Sequence, residues 1–122
     1  MCVGYFQGTD SSLLTKLNAM GIGTLPLGNQ WDSHGKMVDL IKKEDNVRAV
    51  VGYLHKILPA NPDDPIGPYE LLYSCRALEI PVFIIIPPGS DDDCKNLLGE
   101  AADIVTLVTP ETMEEKVSQA CM

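Results

Sequence analysis

The chain has 122 residues, a length that suits one domain and is too short for two of ordinary size. Its 45% hydrophobic content can build a core, but the longest strongly apolar run, residues 82–86, is far below the ~20 residues of a membrane-spanning helix. Nine Lys and Arg against 17 Asp and Glu give a net charge of −8, which disfavours nucleic-acid binding. The chain begins without the basic and apolar regions of a secretion signal. We therefore expect a single cytoplasmic domain over residues 1–122, with neither membrane nor nucleic acid as a partner.

The cysteines stand far apart in the sequence: Cys2, Cys75, Cys94 and Cys121. They form no CxxC pair and have no histidine at metal-ligand spacing, so a structural zinc site is not expected. A chain this rich in apolar residues does not need disulfides, and reduced thiols are typical of the cytoplasm. Cys75 and Cys94 are expected to act as small apolar residues on helices.

In the first half of the chain, short apolar strands alternate with amphipathic helices. Residues 2–7 predict the first strand, and residues 22–27 predict a short second strand that Gly23 and Pro26 weaken. Apolar residues at helical spacing indicate a first helix, at Leu13, Leu14, Leu17 and Met20. The same spacing predicts a second helix from Met37, Val38 and Ile41, ending in Lys42 and Lys43.

The second half repeats this alternation. Residues 48–54 predict a third strand, and residues 59–68, with their prolines and aspartates, predict a loop. Pro68 suits the first turn of a third helix, striped by Leu71, Leu72, Cys75 and Leu78. The run 82–86 is typical of a strand covered on both faces. The remaining elements are a helix beginning at the acidic residues 91–93, a strand at 104–108, and a last helix with Thr109 as N-cap and Pro110 in its first turn.

These five strand–helix units predict a three-layer α/β/α sandwich with a five-stranded parallel sheet, doubly wound in the flavodoxin-like or Rossmann-like manner. The strand order expected at this size is 2-1-3-4-5. Ligands of such sheets bind beyond the carboxyl ends of the strands, near the switch point between the first and third strands. The rule points to three loops, at residues 7–12, 53–69 and 87–93.

The first of these loops reads Gly8-Thr9-Asp10-Ser11-Ser12 and begins a helix. Backbone N–H groups at a helix N-terminus, together with hydroxyls, can hold a phosphate or a sugar hydroxyl. Asp10 would repel a phosphate and better suits a ribose hydroxyl or a metal. The same residues are also typical of a capped helix after a glycine turn, which is the interpretation that the pattern favours. Neither GxGxxG nor GxxxxGK[ST] is present, which argues against dinucleotide and P-loop chemistry.

The segment at residues 31–34, Trp-Asp-Ser-His, contains the only tryptophan. It suits either a helix start capped by Asp32 or Ser33 or a ligand-facing loop. It superficially resembles the DxHxxG motif of cobalamin-binding domains, but Met37 stands where that motif needs glycine. His55, just after the third strand, could act as an acid or base, and is also typical of a surface or structural residue. The acidic residues 91–93 suit a solvated helix start better than a magnesium site.

Glu70 lies in the first turn of the third predicted helix, after the turn Gly67-Pro68-Tyr69. The helix ends in Ala-Leu-Glu-Ile-Pro-Val-Phe, at residues 77–83, before a buried strand. This pattern resembles the nucleoside 2-deoxyribosyltransferase superfamily, in which a glycine turn presents a helix glutamate. The Val-Gly-Tyr strand end at residues 51–53, and the Pro/Asp loop after it, are also similar to that family. The resemblance covers roughly residues 48–112.

The resemblance implies a transferase or hydrolase of N-glycosidic bonds in which Glu70 attacks the anomeric carbon of a nucleoside. Asp63 or Asp64, with His55, would then assist protonation of the base. The candidate ligand-binding residues are Gly8, Thr9, Asp10, Tyr53, Asp63, Gly67 and Tyr69. No cofactor is implied, and pockets completed by a neighbouring subunit imply a homo-oligomer. In the alternative interpretation Glu70 only interacts with the helix dipole, and the chain is a non-catalytic ligand-binding or regulatory domain.

Overall fold

A six-stranded parallel sheet forms the centre of the computed structural model, which describes residues 2–28, 35–58 and 67–121. The strands are β1 (Cys2–Phe6), β2 (Gly23–Gly28), β3 (Lys36–Met37), β4 (Val47–Tyr53), β5 (Val82–Ile85) and β6 (Val105–Val108). They lie in the order β3-β2-β1-β4-β5-β6. The helices are α1 (Ser11–Ala19), α2 (Pro68–Leu71), α3 (Tyr73–Ala77), α4 (Asp91–Leu98) and α5 (Met113–Ala120). No helix in the described part of the chain is both long and apolar enough to cross a membrane.

The predicted doubly wound α/β/α fold is confirmed. The five predicted strands correspond to β2-β1-β4-β5-β6, in the expected order, and β3 adds a short edge strand. Helices α1 and α5 cover one face of the sheet, where Leu13 and Val117 share a buried cluster with Val3. Helices α2, α3 and α4 cover the other face, where Leu71 and Cys75 share a second cluster with Phe6, Cys94 and Leu98.

The alternation of side chains along each strand explains why the sheet has two cores. In β5 every residue is buried, and successive residues contribute to opposite clusters. Val82 and Ile84 pack under α2 to α4, whereas Phe83 and Ile85 pack under α1 and α5. A strand covered by helices on both sides must be apolar throughout, as the continuous run at residues 82–86 indicates.

The predicted helix over residues 37–43 is wrong. Lys36–Met37 pairs with β2, and the chain continues through two 3-10 turns, Val38–Leu40 and Lys43–Asp45. The carboxylate of Asp45 accepts hydrogen bonds from the Lys42 backbone N–H (2.8 Å) and from the Lys36 ammonium group (2.6 Å). These bonds hold the segment in a turn, because a side chain that satisfies a backbone N–H competes with a helix.

Two helix boundaries also differ from the predictions. The third predicted helix is divided into α2 and α3 at Leu72, whose φ of −98° and ψ of 7° depart from helical values. The last helix begins at Met113 and not at Pro110. The reason is a local turn in which the Thr109 N–H donates to the Thr112 hydroxyl oxygen (3.0 Å), so residues 110–112 form a turn before the helix.

Candidate functional site

The carboxyl ends of β1 and β4 lie side by side, and the chain leaves them toward opposite faces of the sheet. After β1 it enters α1, which packs over the face that contains Val3. After β4 it passes through the 3-10 turn Leu54–Lys56 and later reaches α2, which packs over the face that contains Phe6. Diverging loops of this kind open a crevice at the switch point, where open α/β sheets bind ligands. We call the space between residues 7–12 and 53–58 the switch-point crevice.

The β1 side of the crevice is a tight turn fixed by its own hydrogen bonds. Gly8 has a φ of +87°, a left-handed conformation that favours glycine. Thr9 is buried, and both its hydroxyl (2.7 Å) and its backbone N–H (3.2 Å) donate to the Phe6 carbonyl oxygen. The turn therefore has one defined shape, with α1 beginning directly after it.

Asp10 is the N-cap of α1. Its Oδ1 accepts hydrogen bonds from the Ser12 hydroxyl (2.8 Å) and the Ser12 backbone N–H (2.9 Å). These bonds hold the pKa of the Asp10 carboxyl below its ordinary value, and the bond from the Ser12 hydroxyl has the larger effect. The capped-helix interpretation is confirmed, while ligand binding by the same residues stays a prediction. Within the described residues the hydrogen bonds of this carboxylate use Oδ1, so Oδ2 remains open to a donor group.

The β4 side presents two stacked rings. The ring centroids of Tyr53 and His55 are 6.1 Å apart, with an interplanar angle of 27°. Tyr53 is half-buried and packs against the core under α1 and α5, whereas His55 is exposed. Across the crevice the Lys56 ammonium group donates to the side-chain oxygen of Gln7 (3.3 Å). This bond joins the two loops that form the sides of the crevice.

The loops after β5 and β6 use their polar groups locally. The Ser90 hydroxyl donates to the Pro87 carbonyl oxygen (2.6 Å), and the Thr109 and Thr112 hydroxyls are 3.1 Å apart. Residues 91–93 form the acidic first turn of α4, as predicted. Within residues 2–28, 35–58 and 67–121, no three His, Cys, Asp or Glu side chains are grouped as a metal ion would require.

Glu70 is exposed and caps its own short helix, α2. Its Oε2 accepts a hydrogen bond from the Gly67 backbone N–H (3.0 Å). The neighbouring Tyr69 takes a different position. Its hydroxyl oxygen accepts a hydrogen bond from the Arg76 guanidinium. Tyr69 also lines a cavity of about 590 Å³, together with Ile80 and Ile104, which precede β5 and β6. Tyr69 therefore faces the amino ends of the strands.

The structure thus divides the predicted site residues into two groups. Gly8, Thr9, Asp10, Tyr53 and His55 come together at the switch-point crevice. Gly67, Tyr69 and Glu70 form a second group on and before α2, and no hydrogen bond or ion pair between described residues joins it to the first. Asp63 and Asp64 lie outside the described residues, as does the segment 31–34.

Sequence reasoning missed two features of these sites. One is the bond between Gln7 and Lys56, residues that are 49 positions apart with no sequence pattern to join them. The other is the set of cavities at the amino ends of the strands, where binding in open α/β sheets is not expected. The clustering of cations at residues 42, 43 and 48 was the one available signal for the second feature.

The fold and the crevice define a doubly wound α/β protein with a switch point between β1 and β4. In comparisons with known proteins, no family model and no curated protein matches the chain.

Proposed function

We propose that the chain binds a nucleoside or nucleotide in the switch-point crevice. The observation that carries this proposal is the divergence of the chain after the adjacent strands β1 and β4, with the Asp10 turn on one of the two loops and the Tyr53 and His55 rings on the other. A nucleoside has the two matching parts, a planar base and a hydroxyl-bearing sugar. The bond between Gln7 and Lys56 supports the proposal because it holds the two sides in register before a ligand arrives.

Each side of the crevice suits one part of this ligand. The exposed ring of His55, backed by Tyr53, offers a flat surface on which a base can stack. The open oxygen of the Asp10 carboxylate can accept a hydrogen bond from a sugar hydroxyl. Because that carboxylate is negative and sits where a phosphate would lie, an unphosphorylated nucleoside fits the crevice better than a nucleotide.

We extend the proposal to cleavage or transfer of the N-glycosidic bond, on the resemblance alone. In that form the Glu70 carboxylate attacks C1′ and holds the sugar as an ester while the C1′–N bond breaks. The base leaves with a proton supplied by Asp63 or Asp64, assisted by His55, and water or a second base then takes the sugar from Glu70. The exposure of Glu70 and its capping bond to Gly67 favour the simpler form, in which the chain binds without catalysis.

Calorimetric titration with the common ribonucleosides, deoxyribonucleosides and free bases tests the binding proposal. For the base that binds best, His55→Ala should weaken the nucleoside and the free base alike. Asp10→Ala should weaken the nucleoside by about tenfold, the cost of one charged hydrogen bond, and leave the free base unaffected. Asp103→Ala is the matched control, since Asp103 lies before the amino end of β6, whereas the crevice lies beyond the carboxyl ends of β1 and β4. Absence of binding by every nucleoside would overturn the proposal.

We also propose that the chain forms a homo-oligomer. Leu40 and Tyr73 are 56% and 57% exposed, and they lie on packed neighbours, the turn Val38–Leu40 and α3. Large apolar side chains grouped on a surface are typical of contact sites. Sedimentation equilibrium should show an oligomer that the double substitution Leu40→Ser and Tyr73→Ser converts to monomer. A monomeric wild-type chain at micromolar concentration would contradict this expectation.

A further inference from the structure

A second cavity lies at the amino ends of β4 and β5, at the end of the strands opposite to the switch-point crevice. Its volume is about 670 Å³, within the ~300–1,000 Å³ of small-molecule sites. Lys42, Lys43 and residues 46–48 line one side, and residues 77–81, from the end of α3 to the start of β5, line the other. We call it the amino-edge cavity. It is separate from the switch-point crevice, which lies beyond the carboxyl ends of the strands.

The amino-edge cavity reverses the charge of the rest of the chain. The chain has 9 Lys and Arg against 17 Asp and Glu, yet the cavity is lined by Lys42, Lys43 and Arg48. Among the described residues that line it, Glu79 is the one carboxylate. No ion pair with any described residue engages the three cations, because the two ion pairs in that part of the chain are Lys16–Glu114 and Lys36–Asp45. The cations are therefore available to an anionic ligand.

The position of Arg48 results from an irregularity in the sheet. In the pairing of β1 with β4, Cys2 lies opposite Val47 and Val3 lies opposite Ala49, so Arg48 is the extra residue of a β-bulge. A bulge redirects the side chain it carries, and here Arg48 is exposed while Val47 and Ala49 on either side are buried. The guanidinium group matches two phosphate oxygens at once.

The opposite wall of the cavity is apolar. It includes Ala77, Leu78, Ile80 and Pro81, so a ligand with an uncharged part would have a surface to pack against. The carboxyl end of α5 reaches the cavity at Ala120, and its carbonyl groups offset part of the positive charge. The lining itself carries three cations and one carboxylate, and Asp45, which does not line the cavity, offsets part of the Lys42 charge. The lining remains positive and favours an anion with more than one negative charge.

We infer that the amino-edge cavity binds a small molecule that carries a diphosphate group. The phosphates lie on Lys42, Lys43 and Arg48, and the remainder of the ligand packs against the apolar wall. A diphosphate matches the positive charge of the cavity better than a single carboxylate does, because it carries more than one negative charge.

Titration of the full chain with inorganic pyrophosphate, at low ionic strength, tests this inference by calorimetry and by amide NMR shifts. The shifts should concentrate at residues 42–48 and 77–81. Substituting both Lys42→Gln and Lys43→Gln, or Arg48→Gln alone, should weaken binding by about tenfold or more, as expected for charged phosphate contacts. Glu79→Gln should instead tighten binding, because it removes the one opposing charge.

The matched control substitutes both Lys95→Gln and Lys116→Gln, two exposed lysines of α4 and α5 that do not line the cavity. It changes the net charge as much as the Lys42 and Lys43 substitutions do, and it should bind pyrophosphate like the wild type. Equal losses in the two double variants would show attraction by overall charge and overturn the inference. Weaker binding by Glu79→Gln would overturn it as well. So would shifts confined to residues 7–12, or sulfate binding as tight as pyrophosphate binding.

Discussion

Gly52 of β4 and Phe6 of β1 approach so closely that a Cβ on Gly52 would lie 2.6 Å from Phe6 Cδ2 and 3.0 Å from Phe6 Cβ. Both residues are buried, and each precedes a loop of the switch-point crevice. The absence of a side chain at Gly52 therefore lets the ends of the two strands meet under the crevice, with the Phe6 ring filling the space.

Gly52→Ala should lower the free energy of unfolding by about 1–3 kcal/mol, the usual cost of overpacking a core. Gly4→Ala is the matched control in β1. Its Cβ would come 2.5 Å from Leu27 Cδ1, the end of a side chain, whereas a Cβ on Gly52 would also lie 3.0 Å from Phe6 Cβ, which is attached to the backbone. Urea unfolding should thus show a smaller loss for Gly4→Ala. Equal losses of stability in the two variants would mean that the contact with Phe6 costs no more than the contact with Leu27.

Asp10 should titrate below its ordinary pKa of 3.8 in the folded chain, because Ser12 donates two hydrogen bonds to its carboxylate. Since the folded pKa is the lower one, the stability that these bonds supply is present above pH 3.8 and is lost as the pH falls through the folded value. NMR titration should show the pKa rise in Ser12→Ala, which removes the hydroxyl bond. Ser11→Ala should leave it unchanged; an unchanged value in both variants would exclude the Ser12 hydroxyl as the cause.

Glu70→Gln should leave the melting temperature nearly unchanged, because Glu70 is exposed and an amide oxygen can still accept from the Gly67 N–H. If the chain cleaves a nucleoside, the same substitution should lower turnover by about a thousandfold or more, since an amide is not a nucleophile. Chromatography of released bases measures this effect. Glu111→Gln, which changes an exposed carboxylate in the turn before α5, should keep full turnover. Retained turnover in Glu70→Gln would refute the nucleophile assignment and leave the binding proposal intact.

Cys75 should resist alkylation in the folded chain. Burial raises the pKa of its thiol to about 12. At about pH 8 only ~1 in 10⁴ of these thiols is then ionised, and the thiolate is the reactive form. Peptide mapping after brief iodoacetamide treatment should find Cys75 unmodified and the half-buried Cys2 modified first. In denaturant both should react alike, and rapid labelling of Cys75 without denaturant would indicate local opening of α3.

The strands could be predicted from the sequence because burial fixes their composition. The stretch at residues 48–54 is rich in β-branched residues, and the run at 82–86 is apolar throughout, as a strand between two helical layers requires. Alternation with helices and the right-handed crossover then determine the sheet order. The helix predicted at residues 37–43 was wrong. Val38 and Ile41 are buried in the core at helical spacing, but they lie on turns, and a hydrogen bond to the Asp45 carboxylate stabilises these turns.

The sequence by itself determined the fold and the β1 side of the candidate site, since Gly8 and Asp10 act through their own turn and cap. Only the tertiary structure decided which residues share a site. It joined Gln7 to Lys56 across the crevice and placed Tyr69 toward the amino ends of the strands, away from the crevice. It also built the amino-edge cavity from residues 42–48 and 77–81. These segments are distant in the sequence and meet where β4 and β5 pair, and neither segment by itself indicates a cavity between them.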